Sequence, residues 1–514
     1  MADTLKRPVR RLKRFWRALH RRVRIAIVFV LVLTLAALGF FVWARVTHCG
    51  PDVERVDGQC VGITDGTNGH VFGDATGRAL DLIGEENTRI AGDPSAVSIA
   101  YVVPIPPPGV DDDYATRLAG DIMGVAVAQR QANRTSTVGG PPPIRVLIAN
   151  IGESGQPSAE PITRLRDMAT TGFNQYRLMA VAISGKSLAP LTVAIDTLLT
   201  ADVPVVISHL TADRLTSLPV TADTALARVA PTTSDEAAAA AAYLRSTGAR
   251  RTLIVQNTDP EDAYSQDLGK AFRERYPGNG FEIVAPDEPY NGHRKGAANT
   301  MPHIVNNLCG QHPPDALFFA GRAPELAELI AAMPYRRCLD RPITLMTGDD
   351  GASLAAAVAT GSPEVRAGLA ANISVAYTAL AHPEAWRRAA GAFQPHSADY
   401  LTGNAPEAFP TLFPGQSLDD GYAIMAYDAI MTVVRSIRSS QTPLDSPDAL
   451  IQEFKRIHGI AALPGASGWI SLSPTGNTQD KAVPILGIGA DGRAKFLQLS
   501  SPSGAPCTRG MPQC

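Results

Sequence analysis

"VAISGKSLAPLTVAIDTLLTADVPVVISHLTADRL", residues 181–215, decides the fold. An apolar run ends at Ile183, and the polar turn Ser184-Gly185-Lys186-Ser187 follows it and starts a helix. A second apolar run, residues 203–209, ends in another polar turn carrying Ser208, Thr211 and Asp213. Continuously apolar strands separated by helices belong to parallel sheets covered on both faces. Gly185-Lys186-Ser187 matches the end of a phosphate-binding loop. That motif also needs a glycine where this chain has Ala180, so an NTPase is set aside. The position still carries meaning. Open parallel sheets bind ligands at the carboxyl ends of their strands, where helix N-termini offer unpaired N–H groups. Ser184, Gly185 and Ser187, and after the next strand Ser208 and Thr211, therefore suit a carboxylate or another anion. Plain N-capping is the competing account of each turn.

The same pattern extends in both directions. Short apolar runs recur at residues 97–105, 144–150, 251–257, 281–286, 315–321, 342–350 and 372–379. Between them lie stretches of good helix formers with apolar residues three and four apart, such as 235–249 and 262–276. These strands are too many for one sheet, and the expected architecture is two α/β lobes. Residues 46–95, rich in Gly and Asp, read as an irregular segment ahead of the first lobe.

The chain has 514 residues, with 45% hydrophobic and 19% charged, a composition able to bury a core. Its net charge of −2 conceals an asymmetry, because residues 1–24 hold ten Lys or Arg against the single acid Asp3. Residues 25–44, "IAIVFVLVLTLAALGFFVWA", carry no charge and are long enough to cross a bilayer as a helix. The flanking cations place residues 1–24 in the cytoplasm and everything after the span outside. No small-residue cleavage site follows the apolar run, which argues for an uncleaved anchor. Attraction to anionic lipid accounts for the basic tail without a nucleic-acid partner. Six cysteines, Cys49, Cys60, Cys309, Cys338, Cys507 and Cys514, lie outside the span and read as three disulfides. They allow about 15 pairings, among which neighbours in sequence are preferred.

Taken in order, these stretches resemble the type I periplasmic-binding-protein superfamily, and within it the branched-chain amino-acid receptor family of ABC-transporter substrate-binding proteins. The resemblance runs through residues 181–215, "RVAPTTSDEAAAAAAYL" (228–244), "DAYSQDLGKAF" (262–272), "DALFFAGRAPELAELI" (315–330), "ITLMTGDDGASL" (343–354) and "DDGYAIMAYDAIMTVVRSI" (419–437), and covers roughly residues 95–500. The Ala-, Arg- and Pro-rich composition looks like membrane-anchored actinobacterial members. The resemblance implies two Rossmann-like lobes with parallel sheets, joined by three crossovers and closing like a hinge on a small ligand. The implied division is a cytoplasmic tail (1–24), a transmembrane helix (25–44) and a linker (45–95). Lobe 1 takes 96–228 with 384–445, lobe 2 takes 229–383 with 446–500, and 501–514 form a tail. It also implies that Ser184-Gly185-Lys186-Ser187 and Leu210-Thr211-Ala212 hold a ligand carboxylate. Tyr264 would come from the second lobe, with Ser265 where the family has glycine, and the ligand ammonium would meet Asp350 beside Asp349. Arg322 after Gly321 stands where the family often has an aromatic residue. With Lys186 it leaves two readings open: selection of a dicarboxylate or other anion, or charges on the rim.

Enzymatic readings find little support. The chain has no G-x-S-x-G elbow and no H-E-x-x-H motif, and its ten histidines are scattered. Asp111-Asp112-Asp113 reads as a solvated turn rather than a metal site. The expectation is a non-enzymatic, extracytoplasmic, membrane-anchored solute-binding protein. It would need no cofactor, capture an amino acid or related carboxylate, and work with an ABC permease. A ligand sensor acting through a membrane partner is the alternative.

Overall fold

The computed structural model describes residues 48–503 except 222, 294–295, 360–361, 441–442 and 490, together with residue 506 and parts of 20–34. Seventeen strands are described. The first eight are β1 (His48–Gly50), β2 (Val53–Val56), β3 (Gln59–Thr64), β4 (Val97–Val103), β5 (Ile144–Asn150), β6 (Leu178–Ile183), β7 (Val205–Ile207) and β8 (Leu226–Arg228). They form one sheet in the order β1-β2-β3-β5-β4-β6-β7-β8. It is parallel from β5 to β8 and antiparallel through β1, β2 and β3.

The second sheet takes β9 (Arg251–Asn257), β10 (Glu282–Tyr290), β11 (Ala316–Ala320), β12 (Ile343–Thr347) and β13 (Ile373–Thr378). After the small hairpin β14 (Leu463–Gly465) and β15 (Gly468–Ile470), it closes with β16 (Val483–Ile488) and β17 (Ala494–Ser500). Its order is β10-β9-β11-β12-β13-β16-β17, with only the last two strands antiparallel to their neighbours.

Strand periodicity explains why each sheet is covered twice. In β4, Val97, Ile99, Tyr101 and Val103 enter one core while Ala100 and Val102 enter the other. In β11, Leu317 and Phe319 face one side and Ala316, Phe318 and Ala320 the opposite side. Successive side chains point to opposite faces, so an all-apolar strand needs helices on both. Each fully buried Leu or Phe contributes roughly 1.5–3 kcal/mol from desolvation.

The helices that matter below are α1 (Asp74–Ile90), α2 (Asp112–Arg134), α3 (Ala189–Leu199), α4 (Thr233–Thr247), α5 (Ala263–Arg275), α6 (Ala323–Ala332), α7 (Tyr422–Ser439) and α8 (Ala449–Lys455). The poly-alanine helix α4 begins with a capping box, in which Thr232 and Asp235 satisfy each other's backbone N–H. It ends at Gly248 in the left-handed conformation.

The chain passes between the lobes three times, after β8, after β13 and between β15 and β16. These crossovers bond to each other: Arg228 N–H to the Gly476 carbonyl (2.8 Å), Thr478 Oγ1 to the Ala230 carbonyl (2.9 Å) and Ala379 N–H to the Pro484 carbonyl (2.8 Å).

Two boundaries differ from the sequence expectation. Residues 48–95 are part of lobe 1 rather than a linker: β1–β3 extend its sheet, and α1 buries Leu80, Leu82 and Ile83 in its core. The physical reason is that β3 supplies a strand edge to β5, so Gly-rich sequence is stabilised by pairing instead of by its own periodicity. Residues 449–472, assigned to lobe 2, pack on lobe 1, where Leu450, Phe454, Ile457 and Ile470 join the core around α7.

Disulfides join Cys49 to Cys60 and Cys309 to Cys338, the neighbours in sequence. Cys507 and Cys514 lie outside the described residues. The apolar stretch 25–44 is described only in part, and among the described residues no helix is long and apolar enough to cross a membrane.

Candidate functional site

Both sheets point the carboxyl ends of their parallel strands at one cleft of about 450 Å³, lined from the two lobes. On the lobe 1 side the loop after β4 leads into α2. Asp111 caps that helix by accepting the Tyr114 N–H at 3.1 Å, and its second oxygen meets Lys186 Nζ at 2.8 Å. One turn on, Asp113 pairs with Arg117 at 3.2 Å. The Arg117 guanidinium is buried 5.3 Å from the centre of the Tyr422 ring and 5.7 Å from that of Tyr114. Behind it His209 lies tilted against Tyr422, with ring centres 4.4 Å apart, and meets the buried Asp121 at 2.8 Å.

On the lobe 2 side Asp262 caps α5 and receives the Arg322 guanidinium, with Nε 3.0 Å from Oδ2. Burial alone would raise the Asp262 carboxyl, but Arg322 and the Ser265 hydroxyl outweigh it and hold it below the usual carboxylate range. Arg322 also lies 4.3 Å over the Tyr264 ring and reaches the Ser187 carbonyl of lobe 1 at 3.4 Å. Further contacts cross between the lobes, among them Thr211 Oγ1 to Asp349 at 3.5 Å, Asp213 N–H to Asp267 at 3.0 Å, and Ala189 N–H to the Glu261 carbonyl at 3.4 Å. The lobes are therefore closed on each other.

Of the residues singled out by sequence, Arg322 and Asp350 line the cleft, as does Lys186 beside them. The others lie behind it. Ser184 Oγ donates to the Val102 carbonyl at 3.0 Å, and Ser208 accepts from Tyr101 at 3.1 Å. Ser187 Oγ accepts the N–H groups of Thr211 and Ala212 at 3.1 and 3.2 Å. The two loops read as a carboxylate cradle thus hold each other: a serine oxygen takes the donors an anion would use. Arg228, fully buried at the end of β8, fixes the second loop by donating to the carbonyls of Thr211, Ala212 and Asp213. Burial pushes its guanidinium down to about 10.

Two glycines are required here by close approach. Gly185 has φ +145°, and a Cβ on it would lie 2.8 Å from Leu191. A Cβ on Gly321 would fall 1.8 Å from the Tyr290 hydroxyl.

Asp350 lines the cleft and accepts the Ala323 N–H at 2.7 Å, capping α6 from another strand. Asp349 turns inward, its N–H donating to Glu236 at 2.8 Å, and burial with the neighbouring charge of Asp350 pushes its carboxyl up to about 6. Glu236 accepts from Thr378 at 2.6 Å, and burial raises it, with Asp349 adding to the shift.

Both cations left open by the sequence are paired, Lys186 with Asp111 and Arg322 with Asp262. Neither is free to select an anion. Sequence reading missed Arg117, Tyr422, Asp262, Glu325 and Arg228 as parts of the site. Only Asp262 had a visible signal, an N-cap residue opening a helix after a strand. Asp111 and Asp113 serve ion pairs, and among the described residues no metal-ligating group of three or more comes together.

The architecture has close counterparts among solved proteins. A leucine-binding protein of Thermotoga maritima superposes with a TM-score of 0.56 at 19% identity, over 79% of this chain and 99% of the other. An ABC-transporter substrate-binding protein of Desulfitobacterium hafniense, solved with leucine, gives 0.56 at 18% over 78% and 99%. A solute-binding protein of an ABC transporter from Rhodopseudomonas palustris, solved with p-hydroxybenzoic acid, gives 0.54 at 16% over 81% and 98%. No family model and no curated protein matches the sequence. The chain has the type I periplasmic-binding fold. The three neighbours named are solute-binding proteins, not enzymes.

Proposed function

We propose that this chain is a solute-binding protein, held outside the cytoplasmic membrane by residues 25–44, which captures a small polar solute by closure of its lobes and hands it to an ABC permease. The observation that carries this is the cleft itself. It lies where parallel sheets present ligand sites, it is lined by both lobes, and it is bounded by contacts between them such as Arg322–Ser187. The solved neighbours with bound leucine or hydroxybenzoate support the same reading. A ligand bound between lobes favours the closed state by its differential affinity for it. A bound solute also raises thermal stability by mass action. The test is a melting screen of the full-length protein in detergent against amino acids, amines and small carboxylates. A concentration-dependent rise in Tm with a recoverable, unaltered solute is the expected result. Turnover of the solute, or no shift with any compound, counts against the proposal.

A further inference from the structure

The charges on the described residues of the cleft do not balance. Among the described residues six carboxylates line it, against the three permanent cations Arg117, Lys186 and Arg322. Each cation has its own partner: Asp113, Asp111 and Asp262 respectively. Asp259, Glu325 and Asp350 remain, and among the described residues none of them has an ion pair. Glu325 stands out among these. One of its oxygens is buried without any hydrogen-bond partner, and Glu328, one turn on along α6, also buries an unpartnered oxygen. A second group lies close behind the same wall: a Cβ on Gly321, beside Arg322, would fall 1.8 Å from the Tyr290 hydroxyl. Tyr290 is only 3% exposed, and its hydroxyl has no hydrogen-bond partner. The charges that act on it are Glu325, Asp262, Arg322 and Asp350, all lining the cleft. Buried carboxylate and phenol oxygens without partners are costly in the absence of a donor. An ammonium group brings several donors and a compensating charge.

We propose that the cleft takes a small organic cation of net positive charge, with an ammonium seated against Glu325, Tyr290 and Asp350. The simplest such solutes are a diamine and a basic amino acid. This rests on the solute-binding reading and narrows its ligand class. Lobe 1 contributes less, because its serine hydroxyls are spent on backbone groups and Tyr101 and its cations are paired. The recognition falls mainly to the first turn of α6 and the ends of β10 and β12.

Calorimetric titration of the full-length protein in detergent tests it, with putrescine, L-lysine, L-leucine, L-glutamate and 4-hydroxybenzoate as probes. Binding of putrescine or L-lysine about tenfold or more tighter than the other three supports the proposal. Preference between the two shows whether a carboxylate is also received. Leucine, glutamate or hydroxybenzoate binding as tightly as either cation overturns the proposal and leaves the solute-binding reading standing. No binding by any probe overturns the cation proposal, while the melting screen decides the solute-binding reading. Glu325→Gln keeps the size of the side chain and removes its charge at an oxygen without a hydrogen-bond partner, so the fold is kept. It is expected to lose about tenfold in affinity for the cation. Asp259→Asn, combined with it, deepens the loss, and unchanged affinity in the double variant overturns the proposal.

Discussion

The two walls of the cleft are built from the same element, a parallel strand running into a helix, yet they differ in what they leave available. On lobe 1 the turns after β6 and β7 are rich in hydroxyls, and every one of them described is consumed: Ser187 by the N–H groups of residues 211 and 212, Ser184 by a carbonyl and Ser208 by Tyr101. On lobe 2 the turn after β11 carries Arg322, which neutralises Asp262, but the acids further along α6 and after β12 form no ion pair among the described residues. A strand tip with the right residue types is not thereby a ligand site. What matters is the surplus after the protein has satisfied itself, and that surplus lies on lobe 2.

The strongest way to break this contrast is to remove the cation that links the walls. Arg322→Ala leaves Asp262 buried and unpaired and deletes the reach to Ser187. A loss of about 3–5 kcal/mol is expected in denaturant unfolding, with a more open particle by small-angle scattering. Asp262 is held below its ordinary range, so its contribution to stability is present above the unfolded carboxylate pKa and disappears as pH falls through its folded value. In Arg322→Ala that acid-side loss should vanish, and an unchanged pH profile would contradict the pairing.

Next in size is Arg228→Met. It deletes the bonds to the carbonyls of residues 211, 212 and 213 while keeping the volume, and should cost about 2–3 kcal/mol. A neutral outcome would mean that lobe 1 does not rely on this buried cation. Ser187→Ala is smaller, about 1–2 kcal/mol, because two backbone N–H groups lose their acceptor. It also sharpens the comparison. If a carboxylate such as glutamate binds better to Ser187→Ala than to the parent, the lobe 1 cradle works as an anion site once its own serine is removed.

The mildest test is pH. Burial, then Glu328, Asp350 and Asp262, push the Glu325 carboxyl up to about 7; Tyr290 and Arg322 face the same space. The folded protein binds this proton more tightly than the unfolded chain, so Glu325 favours folding below about pH 7 and that contribution is lost as pH rises through 7. Cation affinity has the opposite sign, strengthening as pH rises through the same value because only the ionised carboxyl attracts an ammonium. Titrations at several pH values on either side of 7 check this. Glu325→Gln should flatten the curve.

Much of the fold was legible because it rests on local periodicity. Apolar runs such as 97–105 and 251–257 became β4 and β9, and the helical spacing in 262–276 became α5. Residues 48–64 were not legible: Val53–Val56 and Gln59–Thr64 are short, and exist as strands only because β5 offers them an edge. The site was legible in position and not in detail. Lys186, Arg322 and Asp350 line the cleft as their places at strand ends suggested. The serines and Thr211 did not, because whether a hydroxyl faces a ligand or a neighbouring loop depends on a distance between segments far apart in sequence.

The sequence alone determined the alternation of apolar strands with helices, and therefore two parallel-sheet lobes whose strand tips carry polar turns, since period and burial are properties of consecutive residues. Only the tertiary structure decided which of those polar groups remain unspent. The pairing of Lys186 with Asp111, Arg322 with Asp262 and Ser187 with the loop at residue 211 arises from packing across the chain, and charge left over after pairing is a property of the assembled cleft.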